Sequence, residues 1–219
     1  MQITDWSVIN SSMKRARTDS AKDARRQRLM AAALDEFYER GFAAARMEDI
    51  AQRVNLSKGT LYLYFSSKDD LFRALIDTFA VPNLEQIEHM MSTAPSFSMA
   101  LDAIAVFAPE MIKKSHLPKL LKVLAGDSHN FPDVVQSYRS NVIDRGLTAI
   151  AGLLKRADSE GEIQVDDPAL VARLVIAPMV LSLLWQAVFD HTKGPAVDLA
   201  KLFQLHVRYM KRALGVEDA

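Results

Sequence analysis

Residues 41–72 read GFAAARMEDIAQRVNLSKGTLYLYFSSKDDLF, and this stretch decides the fold. Met47, Ile50, Ala51 and Val54 fall at i, i+3, i+4 and i+7, one apolar stripe of a helix. Leu61 and Phe65, four residues apart, turn a second helix inward. Asn55 and Leu56 break the pattern between them, and Asn tolerates the left-handed backbone that a sharp turn requires. Ser57 opens the second helix, because its hydroxyl can accept an exposed amide hydrogen of the first turn. Ser66 or Ser67 opens a further helix, whose Leu71, Leu75 and Phe79 continue inward until Pro82.

The helical pattern extends in both directions. Upstream, residues 23–40 place Met30, Ala33, Leu34 and Phe37 on one stripe, and Gly41 suits a helix end. Downstream, helical periodicity covers residues 84–92, 97–114, 117–126, 132–160, 168–190 and 196–213. Pro95, Pro118, Pro132, Gly161, Pro168 and the Gly194-Pro195 pair separate these segments. No segment alternates with period two for long enough to make a strand. The expectation is an all-α protein: an N-terminal three-helix helix-turn-helix domain followed by a larger helical domain. Residues 1–22 read as a flexible arm, 23–70 as the helix-turn-helix domain and 71–219 as the helical body. The alternative for 1–22 is a basic arm that touches DNA beside the main site.

Composition narrows the chemistry. The 219 residues are 49% apolar and contain no cysteine, which removes disulfides, thiolate metal sites and cysteine nucleophiles together. The net charge is zero, but it is unevenly distributed. Residues 1–76 carry 13 Lys and Arg against 10 Asp and Glu, and the excess reverses in the remainder. Lys14, Arg15, Arg17, Lys22, Arg25, Arg26 and Arg28 crowd the start of the chain. A polyanion-facing end accounts for this; so does an ordinary solvated face. The N-terminus lacks the continuous apolar run of a signal peptide. The uncharged run from Leu174 to Phe189 falls short of the roughly 20 residues of a membrane helix, so a buried helix and a cytoplasmic protein without membrane contact are expected. Residues 171–189 are apolar nearly all round. One chain cannot cover such a helix on every side, so a homodimer is expected through it and the stripe Leu199, Leu202, Phe203, Val207 and Met210. Pro178 within it either kinks the helix to open ligand space or is a tolerated irregularity.

Residues 57–68 carry the strongest chemical signal. The major groove of DNA admits one α-helix, provided that the helix is oriented by a neighbour and is slim where it meets the backbone. Gly59 permits close approach. Lys58 offers a charge to phosphate or guanine, and Thr60 a hydroxyl to phosphate or a methyl contact to thymine. Tyr62 and Tyr64 pair an apolar ring with a donor beside the inward Leu61/Phe65 face. Lys68, at the start of the next helix, and the amides around it suit a phosphate.

With these residues in view, the stretch resembles the N-terminal domain of the TetR family of bacterial transcription regulators (TetR/AcrR-like). The matching features are the Ala-Leu-x-x-Phe core of the first helix, Gly41-Phe42, Asp49-Ile50-Ala51, the run from Ser57 to Phe65, and Lys68-x-x-Leu71. The resemblance implies an all-helical homodimer that represses transcription until a small molecule in the body respaces its two heads. It also implies a DNA surface of Lys58, Gly59, Thr60, Tyr62, Tyr64 and Lys68, with Ser57 as cap and phosphate contacts from Arg25 and Arg26. Where the family commonly has Thr or Ser this chain has Ala45, so a hydroxyl cap is missing and Arg46 is expected to supply that contact. Asn55 replaces the usual turn glycine.

In the body, Phe107, Met111, Tyr138, Met179, Trp185 and Phe189 are candidates to line a pocket for a small hydrophobic effector; plain core is their other reading. The histidines are dispersed without metal-ligand spacing, so no metal and no cofactor are expected. His206 reads as a packed, hydrogen-bonded residue, and Glu160, Glu162, Asp166 and Asp167 as a solvated loop. No nucleophile–base pair or phosphate-cradling loop is present, so no enzyme is expected. The expected function is a dimeric repressor on a palindromic duplex operator, released by effector; the alternative is the same build controlled by a protein partner or acting without ligand.

Overall fold

Met30, Ala33, Leu34 and Phe37, the expected stripe of the first helix, are all fully buried, and the first domain assembles on them. The computed structural model describes residues 24, 26–189 and 195–216. The expected arm at 1–22 and Arg25 lie outside the described residues. Helix α1 spans residues 26–40 and stops at Gly41, whose φ of +79° only glycine adopts readily. Helix α2 (Met47–Arg53) buries Met47, Ile50 and Ala51, and α3 (Lys58–Tyr64) buries Leu61. Glu36 of α1 is fully buried, with Arg40 Nε at 2.9 Å and Arg53 Nε at 2.7 Å. Arg53 also pairs with Glu39, so the end of α2 is clamped to α1. Glu36 is the buried member, and the two arginines reach it from the surface to compensate its charge.

The break between α2 and α3 has the expected form. Asn55 has φ +56°, Leu56 N–H donates to Ala51 O at 2.9 Å, and Asn55 N–H to Gln52 O at 3.1 Å. These paired bonds close a helix on a left-handed residue. At the other end of α2 the structure corrects the sequence reading. The cap position is Arg46, which makes no side-chain cap bond, whereas Ala45 is buried in the core. The cap of this helix is therefore residue 46, not 45.

Helix α4 (Lys68–Phe79) runs without interruption across the expected boundary at 70/71. Pro82 sits in the first turn of α5 (Val81–Thr93), where a missing N–H costs nothing. Then follow α6 (Phe97–Lys114), α7 (Leu117–Asp127), a 3₁₀ turn (Ser128–Asn130) and α8 (Pro132–Tyr138). A π-helical segment (Arg139–Asp144) joins α8 to α9 (Arg145–Ser159). Last come α10 (Pro168–Phe189) and α11 (Leu199–Ala213). No strand occurs among the described residues, and the molecule is all-α.

Three expectations for the body need correction. The acidic loop around Gly161 is not merely solvated. Glu162 accepts from Phe97 N–H at 2.9 Å and Ser98 N–H at 3.1 Å, and Asp167 accepts from Ala169 and Leu170 N–H. Helix starts leave amides without partners, and these carboxylates fill them. Second, the apolar stripe of α11 is used in part within the chain. Phe203 and Val207 are buried where α11 packs along α6, while Leu199, Leu202 and Met210 of the same stripe are only partly buried. Third, α10 is longer than the uncharged run read from sequence and, as expected of a helix apolar all round, is not enclosed by its own chain. It is long and apolar enough to cross a membrane, and only 22% of its most apolar stretch is buried. Ala172, Val175, Ser182, Leu183 and Ala187 face the core; Leu170, Leu174, Leu181, Trp185, Val188 and Phe189 face out.

Candidate nucleic-acid interface

The surface that presents α3 is built from its cap upward. Ser57 Oγ accepts from Thr60 N–H at 3.1 Å and lies 2.7 Å from Thr60 Oγ1, so one hydroxyl pair fixes the first turn. Loss of such a cap costs roughly 1 kcal/mol. Leu61 is fully buried and Phe65 nearly so, which fixes the roll of the helix. The opposite side then carries Gly59 and Leu63, flanked by Tyr62, Thr60 and Tyr64. Tyr62, Leu63 and Tyr64 are 43%, 86% and 63% exposed. Three large side chains in succession on a two-turn helix are thus turned largely outward.

Lys58 pairs with Glu48 of α2, and its ammonium sits 5.7 Å from the Tyr62 ring centroid. The Glu48 carboxylate raises Lys58 above the ordinary lysine value, and Lys58 in turn lowers Glu48. Both groups are solvent-exposed, so the pair is screened and exchangeable for a phosphate. Arg46 and Arg26 are exposed. Lys68 departs from the sequence reading. Its Nζ donates to Phe42 O at 2.8 Å and Ala43 O at 2.9 Å and lies 5.0 Å from the Phe42 ring centroid. It ties down the turn after α1 and keeps one donor for other contacts. The amides around it are partly committed too: Asp70 N–H to Ser67 Oγ at 3.1 Å, and Ser66 N–H to Asp70 Oδ2 at 2.9 Å.

The body grips the same turn. Phe42 N–H donates to Asp127 Oδ2 at 2.7 Å. A side chain at Gly41 would bring its Cβ within 2.9 Å of that oxygen. The rings of Phe42 and Phe131 lie 4.2 Å apart, and Phe72 lies 5.4 Å from Phe131. Lys119 of α7 meets Asp35 of α1 at 2.5 Å, and Lys122 covers the Tyr38 ring at 4.1 Å. Leu63 and Asp127 were not found from sequence. Leu63 could have been, because it lies opposite Leu61 on the helix. Asp127 is 85 residues from its partner and carries no local signal.

Comparison with known proteins bears on this geometry. Residues 29–75 match the family described as bacterial regulatory proteins, tetR family, and residues 99–202 match the AefR-like transcriptional repressor, C-terminal domain. The chain belongs to the TetR family of transcription regulators. Among its TetR-family relatives, the uncharacterized HTH-type transcriptional regulator YfiR of Bacillus subtilis is 25% identical over 201 residues, 90% of this chain and 96% of YfiR. The HTH-type transcriptional repressor BepR of Brucella suis is 26% identical over 179 residues, 77% of this chain and 81% of BepR. In structure, NalD of Pseudomonas aeruginosa, secondary repressor of the MexAB-OprM multidrug efflux pump, matches with a TM-score of 0.72 at 17% identity. The match covers 90% of this chain and 99% of NalD, a likeness of fold.

Among the described residues, the six pocket candidates of this TetR-family body fall on different faces. Met111 is core, and Phe107, Tyr138 and Met179 pack partly buried against the core. Trp185 and Phe189 stack 4.7 Å apart on the outer face of α10. An open groove of about 660 Å³ is lined by Glu88, His89, Ser140, Asp144, Arg145 and Thr148 among others, and by none of the six. Tyr138 still stands out. Burial pushes its phenol up to about 12, and its hydroxyl has no hydrogen-bond partner among the described residues. His206 Nε2 lies 3.0 Å from Val175 O, the packed role read from sequence, and burial lowers its value.

Proposed function

We propose that this TetR-family regulator is a homodimeric repressor that binds a palindromic operator through Arg46, Ser57, Lys58, Gly59, Thr60, Tyr62 and Tyr64. The observation that carries this is the outer side of α3: capped, anchored by Leu61, and presenting exposed Lys58, Tyr62, Leu63 and Tyr64 around Gly59. Two-fold pairing supplies the second half-site, with recognition helices roughly 34–36 Å apart on the duplex. The uncovered apolar face of α10 supports pairing through that helix. A small hydrophobic effector held by the body releases the DNA. The repressor names of BepR and NalD favour repression, and the largely buried Tyr138 phenol, without a hydrogen-bond partner among the described residues, is a polar group in the body that an effector could meet.

Selection of bound duplexes from random DNA by the full chain tests the reading. A two-fold symmetric site should emerge, and Lys58→Ala should bind it more weakly. Each lost phosphate contact should also flatten the salt dependence by about 0.9 in log–log slope. Affinity and slope unchanged in Lys58→Ala would remove Lys58 from the interface. A thermal-shift screen of hydrophobic compounds, followed by operator release, tests the effector; stabilisation without release would overturn that part.

A further inference from the structure

We propose that Leu63 reads the methyl group of a thymine in each operator half-site. The inference rests on the DNA-binding role of α3 and adds a base identity to it.

With Leu61 and Phe65 buried and Ser57 capping the first turn, the outward side of α3 is fixed. Gly59 and Leu63 stand four residues apart on that side, one above the other. Leu63 is the most exposed large apolar side chain among the described residues, at 86%. Gly59 has no internal justification. A Cβ placed there would meet only Ser57 Oγ, at 3.9 Å. A helix carrying a bare position and, one turn on, a projecting aliphatic chain is shaped to sink at one end and touch at the other.

The chemistry of Leu63 narrows what it touches. It has no donor or acceptor, so it adds nothing to phosphate binding. Its neighbours are Tyr62, Tyr64, Thr60 and Lys58, so it is not part of a continuous apolar patch of the kind that α10 presents. In the major groove the thymine C5-methyl is the one apolar feature of the base edges. The flanking tyrosines are turned to other uses. Tyr62 lies beneath the Lys58 ammonium, and Tyr64 leans on Phe65 with ring centroids 6.4 Å apart. Thr60, offered from sequence for a thymine methyl, is tied to the Ser57 cap, and Leu63 projects further than it or either ring.

The test uses the full-length dimer and its selected operator. Each thymine is replaced singly by deoxyuridine, which removes only the methyl, and binding is measured by fluorescence anisotropy for wild type and Leu63→Ala. One thymine per half-site should weaken wild-type binding about fourfold when its methyl is removed, the value of one buried methyl-sized group. Leu63→Ala, at an exposed position and therefore folded, should bind thymine and deoxyuridine equally at that position and keep its other methyl effects. A wild-type scan that is flat, or a scan identical in Leu63→Ala, overturns the assignment while leaving DNA binding in place. Failure of the selection to enrich any duplex overturns the DNA-binding reading itself, and this inference with it.

Discussion

Gly59 lies in the first turn of α3, where alanine would fit and would hold the helix better. Glycine in a helix costs about 0.5–1 kcal/mol relative to alanine, chiefly through backbone freedom in the unfolded chain. Gly59→Ala should therefore raise the melting temperature slightly while weakening operator binding roughly tenfold, about 1.4 kcal/mol. Thermal unfolding and operator titration of the same preparation check both halves. Equal loss of stability and affinity would mean that the glycine serves the fold. At this scale the sequence was legible wherever the chemistry is local. Ser57 as cap and Asn55 as a left-handed turn residue act on atoms within a few positions, and both stand where the pattern put them. Lys68 was read as a phosphate contact because its ammonium was free on paper. In space the carbonyls of Phe42 and Ala43, some 26 residues away, occupy two of its donors.

Among the elements, α7 does what no helix pattern announces: its far end holds the turn between α1 and α2. Asp127 accepts the Phe42 amide, Lys119 meets Asp35, and Phe131, just beyond α7, closes on Phe42. The orientation of α3 thus depends on a helix of the body as well as on α4. Asp127→Ala leaves the Phe42 amide without its acceptor, a loss of about 1–3 kcal/mol for a group taken out of water. Hydrogen exchange should report it as faster exchange in residues 26–64 and unchanged protection in α9 and α10. Protection lost evenly over the whole chain would point instead to a global defect. Helix extents were readable because periodicity and breakers are local. Residues 97–114 were predicted and observed to the residue, and 117–126 to within one. Which helix faces which was not readable, since part of the α11 stripe expected at a partner, Phe203 and Val207, is buried beside α6.

For the whole molecule, the decisive feature is the two-sided character of α10. Its inner face belongs to the core, and its outer face leaves Leu174, Leu181 and Trp185 in solvent. The composition of this helix showed that something must cover it. It could not show that the chain's own elements cover only one side, because a helix apolar all round has no stripe to orient it. A contiguous exposed face of this kind marks an association surface. Pairing two chains through it would hold two α3 helices on one rigid frame. Each half-site then raises the effective concentration of the other, by as much as 10²- to 10⁴-fold in overall avidity. The charge distribution favours the same arrangement, with the basic excess before residue 76 and the acidic excess behind it, so that the heads face the polyanion. A charge placed in the middle of the α10 face separates pairing from folding. Leu181→Glu should sediment as a monomer with unchanged helical circular dichroism. It should bind an isolated half-site as wild type does and lose the avidity of the full palindrome. A Leu181→Glu protein that remains dimeric and binds the full operator normally would move the pairing surface away from α10.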